Sequence, residues 1–562
     1  MSLIVSSAKE QINNIIINAA NTAIQKGELE NGELTSFTIE VPANRDHGDY
    51  AVNAAMVWAR LFHKAPRQIA EILAQNFDFE GSYIKSFEIA GPGFINFFLS
   101  DNYYADIVTD VIEKNEDYGK SNYGEGKKIL VEFVSANPTG PMHIGNARGG
   151  ALGDCLAAVL ENAGYYTERE FYINDAGNQI NKFGLSLDLR YLQLYKEGIE
   201  MPEDSYHGED IINHAKAFAE INGDSYVSKT EEERRKALVE FALPKNIAGL
   251  EEDLGKYRIK YDTWFKESSL HNGGETARII ELLKESGYTY ELEGALWFKA
   301  TDFGCDKDFV LVRANGVPTY VVPDIAYHYN KLEVRKFDKA IDVLGADHHG
   351  YVPRLKAALT ALGVDANRLD VVLMQMVRLV RDGEVIKASK RSGKAITLVT
   401  LLDEVPIDAA RFFFNLREPN SHFDFDLDLA VNESNSNPVY YVQYAYARIC
   451  SIIRNLELEN VKLRKASMDE LVKLTAPEER ELIIHIAGLT DEIIASAKAY
   501  DPAKITHYVE ELATKFHKFY SACRVKGEDE ELMQARLNLC KATAIAIKNV
   551  LTMLKIDAPQ KM

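Results

Sequence analysis

The sequence predicts an α/β protein: a doubly wound parallel-sheet domain, preceded by an N-terminal α/β domain and followed by an all-α C-terminal domain. Three observations predict it. Residues 128–136, KILVEFVSA, are a near-continuous apolar run, as a strand covered on both faces requires. A Pro- and Gly-rich loop (137–146), a helix-patterned stretch (147–164) and a second strand (165–177) follow directly, the order of a Rossmann-like crossover. From about residue 435 the pattern is helical almost throughout.

The elements follow in order. Helical periodicity covers 7–25, and a charged loop, ANRDHGDY, occupies 43–50. Helical stretches run over 51–64 and, started by Pro66, over 66–77. Residues 84–100 read as two strands turned at Gly91-Pro92-Gly93, and 101–115 as a linking helix. The linker YGKSNYGEGKK closes a first domain of residues 1–118. The central domain spans 119–434. Within it, residues from about 185 to 300 are acidic and helical in pattern and read as an insertion between two halves of the sheet. Strand and helix alternation resumes through 309–331 and 339–347, then a helix at 349–363 and one strand at 371–380, VVLMQMVRLV. Residues 435–562 form the third domain.

At ~150 residues per domain, 562 residues fit three or four domains. A hydrophobic share of 46% with 26% charged residues excludes a disordered chain. No apolar stretch approaches the ~18 residues of a membrane span. The first residues carry no basic region or cleavage site, so no signal peptide is expected. Five scattered cysteines without a CxxC pair point to reduced thiols in a cytoplasm and to no structural zinc. The net charge of −20 opposes nucleic-acid binding taken alone. The charge is uneven, however. Residues 435–562 hold 18 Lys and Arg against 17 Asp and Glu, a net of +1, and the remainder 46 against 67, a net of −21. That leaves room for a basic face on the last domain.

Two loops could carry chemistry. Asn137-Pro138-Thr139-Gly140-Pro141-Met142-His143-Ile144-Gly145-Asn146 lies between a buried strand and a helix start, where free N–H groups and the helix dipole favour an anion. His143 and Asn146 share one side of the first turn, and Gly145 admits a flat ring. The same pattern also suits a tight turn capped by His143. Lys387-Ala388-Ser389-Lys390-Arg391-Ser392-Gly393-Lys394 places four cations in eight residues, fit to close over phosphates or to lie in water as a basic turn. Neither is a Walker loop or a dinucleotide fingerprint.

HIGN and KASKR, in this order, resemble the HIGH and KMSKS motifs of the class I aminoacyl-tRNA synthetases. Residues 131–154 (VEFVSANPTGPMHIGNARGGALGD), EFYINDAGNQI, HGDY, GPGFINF, VLGADHHGYVPRL, NPVYYVQYAYARI, FHKFYSACRV and the closing APQKM resemble the arginyl-tRNA synthetases in particular. Two positions depart from the pattern. Asn146 replaces the last HIGH histidine and can donate a hydrogen bond but not carry imidazolium charge; Ala388 replaces the KMSKS methionine.

The resemblance implies an ATP-dependent arginine–tRNA ligase: arginine activation to an adenylate, then transfer to the 2′-OH of the terminal adenosine of tRNA(Arg). His143, Asn146, Lys387 and Lys390 are the implied catalytic residues. Pro138, Gly140, Gly145 and Ser389 join His143, Asn146 and Lys390 around ATP, which brings Mg²⁺ and needs no protein metal site. Glu132, Ser135, Asn137, Tyr320, Asp324 and His348 are the implied arginine-binding residues. Asn96, Tyr441, Tyr444, Arg448 and Tyr520 are the implied tRNA contacts, with aromatics beside an Arg suited to unpaired anticodon bases. No membrane, obligatory protein partner or editing domain is expected, and the chain is expected to act as a monomer. The alternatives are another class I synthetase and a non-catalytic RNA-binding paralogue.

Overall fold

The computed structural model describes residues 3–42, 44–386, 396–527 and 529–562. Five parallel strands form its centre: β1 (Lys128–Glu132), β2 (Tyr166–Ile173), β3 (Thr263–Lys266), β4 (Lys339–Gly345) and β5 (Leu369–Met374). Their order is β5-β4-β1-β2-β3. The chain runs outward from β1 to β3 and returns on the other side with β4. The carboxyl ends of β1 and β4 therefore flank the switch point, the crevice where open α/β sheets bind ligands.

Helix α1 (Ile144–Asn162) crosses from β1 to β2, and every residue from Ala147 to Leu160 is buried. Such a helix must pack on all sides, and its small residues permit it. A Cβ at Gly153 would lie 2.2 Å from the Phe133 ring. Helix α2 (Val321–Tyr329) ends in a π-turn, Asn330–Val334, and leads into β4.

Three segments differ from the sequence expectation. Residues 51–64, expected to be helical, hold the end of the strand Tyr50–Val52 and a helix of only Ala54–Val57. The stretch 185–300 contributes β3 to the central sheet, and three short strands, Thr289–Leu292, Ala295–Phe298 and Phe309–Val312, make an antiparallel sheet of their own. Its helices Glu209–Asn222 and Glu231–Lys256 bury Phe218, Leu238 and Ala242 against Phe183 and Tyr191. VVLMQMVRLV is two strands. After β5, Gln375 commits both main-chain groups to the 418–421 loop: its N–H donates to the Pro419 carbonyl at 3.0 Å and its oxygen accepts from Arg148 at 2.7 Å. Val377–Arg381 then joins a separate small sheet. Arg148 also donates to the Ser421 and Glu418 carbonyls, and burial without a carboxylate partner lowers its pKa to about 10.

The N-terminal residues fold as a four-stranded antiparallel sheet under the helix Leu3–Gln25. The C-terminal residues form a bundle including α3 (Pro438–Leu458), α4 (Ala503–Ala522) and α5 (Glu530–Met553). One buried cation joins this bundle to the sheet. Arg411 donates to the Leu554 carbonyl after α5 at 2.7 Å, to the Tyr257 carbonyl at 2.9 Å and to Asp154 of α1 at 2.5 Å. Among the described residues no helix is long and apolar enough to cross a membrane.

Candidate active site

The loop that leaves β1 opens with two non-glycine residues in the left-handed region, Val134 at φ +68° and Ser135 at φ +40°. Side-chain bonds hold this conformation. The Ser135 hydroxyl donates to Glu132 Oε1 at 2.8 Å and accepts from the Tyr172 N–H at 3.1 Å. Farther along, Pro138 is buried, and its carbonyl accepts from Asn246 Nδ2 at 2.9 Å. His214 bonds Asn246 in turn at 2.6 Å. Both come from the 185–300 segment, which thus braces the loop.

His143 is the exposed N-cap of α1, and Asn146 Oδ1 accepts from its N–H at 3.0 Å. The carbonyl end of Asn146 closes the turn, leaving its amide hydrogens as the donors. A Cβ at Gly145 would meet nothing within 4 Å, and one at Gly140 only an Asp210 oxygen at 3.9 Å. The face of the loop is bare. Asn137 is exposed beside it.

Lys387, Ser389 and Lys390 lie outside the described residues. The chain just after them is fixed on the loop. Ile144 N–H donates to the Ile396 carbonyl at 3.3 Å, Leu398 N–H donates to the Met142 carbonyl at 2.9 Å, and His143 and Thr397 form an antiparallel bridge.

The other side of the crevice is built from α2 and the turn after β4. Tyr320 is 71% exposed at the start of α2, its ring 5.8 Å from that of Tyr351. Tyr351 donates its hydroxyl proton to Asp324 Oδ2 at 2.6 Å. Burial pushes the Asp324 carboxyl above the ordinary range, although His328 and the Tyr351 hydroxyl pull the other way. His348 is exposed on the turn Ala346–Gly350.

Glu132, at the end of β1, is 7% exposed and sits between Asp342 of β4 and Glu170 of β2 in register. Lys331 Nζ donates to Glu132 Oε2 at 2.5 Å and to Asp342 Oδ1 at 2.9 Å. Burial opposes the Lys331 charge, but Asp342 and Glu132 outweigh it and hold the ammonium protonated. Lys331, His328 and Asp342 were not singled out from the sequence. A lysine at a helix end reads as solvated. The one available signal was a carboxylate inside each apolar strand, Glu132 in KILVE and Asp342 in KAIDVLG.

The predicted residues of the last domain gather at one place. Tyr441 and Tyr444 of α3 flank His517 of α4, with ring centroids at 4.9 and 5.8 Å. The Arg448 guanidinium lies 5.0 Å from the Tyr520 ring centroid, and its Nη2 donates to the Tyr520 hydroxyl at 3.4 Å. His517 is the member that sequence reading missed; burial first, then Arg448, lowers its pKa.

Asn96 sits within the N-terminal sheet. It lies in the strand Phe94–Leu99, register-paired with Ala51 and Glu88 on either side, and is 3% exposed.

Three family profiles match consecutive stretches: "Arginyl tRNA synthetase N terminal domain" over residues 7–99, "tRNA synthetases class I (R), catalytic domain" over 107–434, and "DALR anticodon binding domain" over 442–562. The chain is 53% identical over 564 residues to the arginine–tRNA ligase of Acetivibrio thermocellus, and 54% identical over 562 residues to that of Caldanaerobacter subterraneus. Both alignments cover 100% of each chain. The crystal structure of a putative arginyl-tRNA synthetase from Campylobacter jejuni superposes with a TM-score of 0.74 at 34% identity, covering 83% of this chain and 100% of that one. The Thermus thermophilus arginyl-tRNA synthetase shares the fold, with a TM-score of 0.73 at 21% identity over 97% and 99% of the two chains.

Proposed function

The chain belongs to the class I arginyl-tRNA synthetases, and from that premise we propose how its crevice does the family's work. It is an arginine–tRNA ligase: it activates L-arginine with ATP and transfers it to tRNA(Arg). In the first step the arginine carboxylate attacks the α-phosphate of MgATP and pyrophosphate leaves. In the second the terminal ribose 2′-OH of the tRNA attacks the acyl carbon and AMP leaves. Positioning and charge stabilisation carry most of such chemistry.

The observation that carries the site assignment is the convergence at the switch point. Residues 396–398, immediately past the KASKR segment, hydrogen-bond to Met142 and Ile144. Lys390 is six positions before Ile396, about 20 Å of extended chain, so one nucleotide lies within reach of Lys390 and His143 together. We assign His143, the amide of Asn146, Pro138 and the bare backbone at Gly140 and Gly145 to ATP. Lys387, Lys390 and Ser389 go to the departing pyrophosphate. Mg²⁺ enters with the phosphates, which suits an ion that keeps much of its water.

Asp324, Tyr320 and His348 across the crevice, with Glu132, Ser135 and Asn137 of β1 and its loop, take the arginine. A planar guanidinium fills fork-shaped acceptors that lysine would leave unpaired, and this gives discrimination without an editing site. Tyr441, Tyr444, Arg448 and Tyr520 receive the anticodon. The domains are 1–118, 119–434 and 435–562, and the chain works as a cytoplasmic monomer.

The test is charging of purified tRNA(Arg) with radiolabelled arginine, beside ATP–pyrophosphate exchange with each amino acid. Exchange with arginine is expected only when tRNA is present. Exchange with glutamine or glutamate instead of arginine would overturn the assignment.

A further inference from the structure

Beneath the amino-acid side lies a charge arrangement that arginine recognition alone does not use. Asp342, Glu132 and Glu170 are register neighbours across β4, β1 and β2, and each is less than a tenth exposed. Three adjacent carboxylates in a low dielectric stay ionised only beside cations. One segment supplies them. Lys331, with no exposed surface, donates to Glu132 and Asp342. Arg335 donates to Glu170 at 2.5 Å and to Glu168 at 2.9 Å. His328 faces an oxygen with each ring nitrogen, the Asp324 carbonyl at 2.7 Å and Asp342 Oδ2 at 2.7 Å. Only the imidazolium donates from both. Glu132, His328 and Asp342 come together at metal-ligand spacing, yet the ammonium of Lys331 already bonds two of the three. The cluster carries its own internal cation.

We propose, resting on the ligase reading above, that Lys331 is the positioning residue of the amino-acid pocket: its ammonium, clamped between Glu132 and Asp342, holds Glu132 in place and aimed at the substrate arginine. Both Glu132 oxygens are engaged, Oε1 by Ser135 and Oε2 by Lys331, which fixes one rotamer. A carboxylate accepts about four hydrogen bonds, so acceptor capacity remains for a substrate N–H. The clamp also ties the end of α2 to the sheet, and α2 carries Tyr320 and Asp324 at its other end.

The experiment uses the full chain with Lys331→Met and Lys331→Gln, charging tRNA(Arg). For Lys331→Met the arginine KM is expected to rise roughly 10-fold or more, the loss of a charged hydrogen bond, with the ATP KM within about twofold. The arginine KM should also climb on lowering the pH from 8 to 6, more steeply than in the unaltered chain, because a buried Glu132 without its cation takes up a proton more readily. Asp342, Glu170 and Asp324, facing it from the two strands and α2, push in that same direction. The neighbouring Tyr172, Tyr261 and Tyr327 stay protonated throughout, their ionisation raised by burial. Lys331→Gln, whose amide still donates, should show the same pH dependence with a smaller rise in KM, and it carries the test if the Met variant does not fold. A lowered melting temperature with unchanged arginine KM and pH profile would make Lys331 architectural and overturn the proposal, as would failure of both variants to fold. Absence of arginine charging by the unaltered chain would instead strike the ligase reading.

Discussion

Asp324, Glu132 and Asp342 each have hydrogen-bond partners before any substrate arrives, whereas on the other half of the crevice His143 faces solvent and a Cβ at Gly145 would meet nothing within 4 Å. The amino-acid half is preorganised by buried charge. On the proposed reading, the nucleotide half is a bare loop at a helix start, where backbone dipoles favour an anion. The difference follows from the ligands. Arginine must be told from lysine by fixed acceptors, and fixing them takes burial and counter-charge. A triphosphate brings charge enough to be gripped by exposed donors.

The largest effect should come from the exposed half. Lys390→Ala is expected to lower the charging rate roughly 10²-fold or more, through a lost donor at the leaving group, with little change in arginine KM. Charging unchanged within a few-fold would break the contrast. On the buried half, Asp324→Asn should cost about 10²-fold in kcat/KM for arginine, because a desolvated cation loses its partner; single-turnover charging with tRNA separates this from ATP binding. Asn146→Asp sharpens the boundary between cap and ligand. It keeps the oxygen that accepts from His143 N–H but trades the amide donor for negative charge, so the ATP KM should rise about tenfold while the melting temperature holds. In the last domain, Tyr444→Ala is expected to raise the tRNA KM about 5–10-fold, the worth of one stacked base, without altering arginine KM.

The smallest effect is one of pH. The Asp324 carboxyl is raised by burial and must be ionised to accept a guanidinium, so arginine KM should climb as pH falls, beginning above the ordinary carboxylate range. The stability sign is opposite. A carboxyl with a raised folded-state pKa binds its proton more tightly folded than unfolded, so its contribution is unfavourable at neutral pH and relieved on acidification. Asp324→Asn should flatten both dependences, read by arginine titrations and melting curves from pH 5 to 8.

The loop between β1 and α1 was legible in the sequence because its signals are local: an apolar strand, two prolines, and a helix opening on His143 with Asn146 three residues on. Much else was not. TWFK is a four-residue strand among charged neighbours, so β3 passed as part of a helical insertion. VVLMQMVRLV read as one strand because nothing near Gln375 announces that Arg148, 227 residues earlier in sequence, captures its carbonyl. His517 joins Tyr441 and Tyr444 only through packing of two helices far apart in the chain. Lys331 could not be told from a surface lysine, since its burial depends on carboxylates from β1 and β4. In each case the deciding partner is distant along the chain, where periodicity carries no information.

Arg411 has a consequence for biogenesis. Its guanidinium, fully buried against Asp154, finds one of its acceptors at Leu554, 143 residues farther along the chain. The nascent chain therefore carries an incompletely satisfied cation until α5 and Leu554 have been made. Vectorial, domain-by-domain maturation is curtailed, and a chain cut short after Met553 should be recognised by cellular quality control as unfinished.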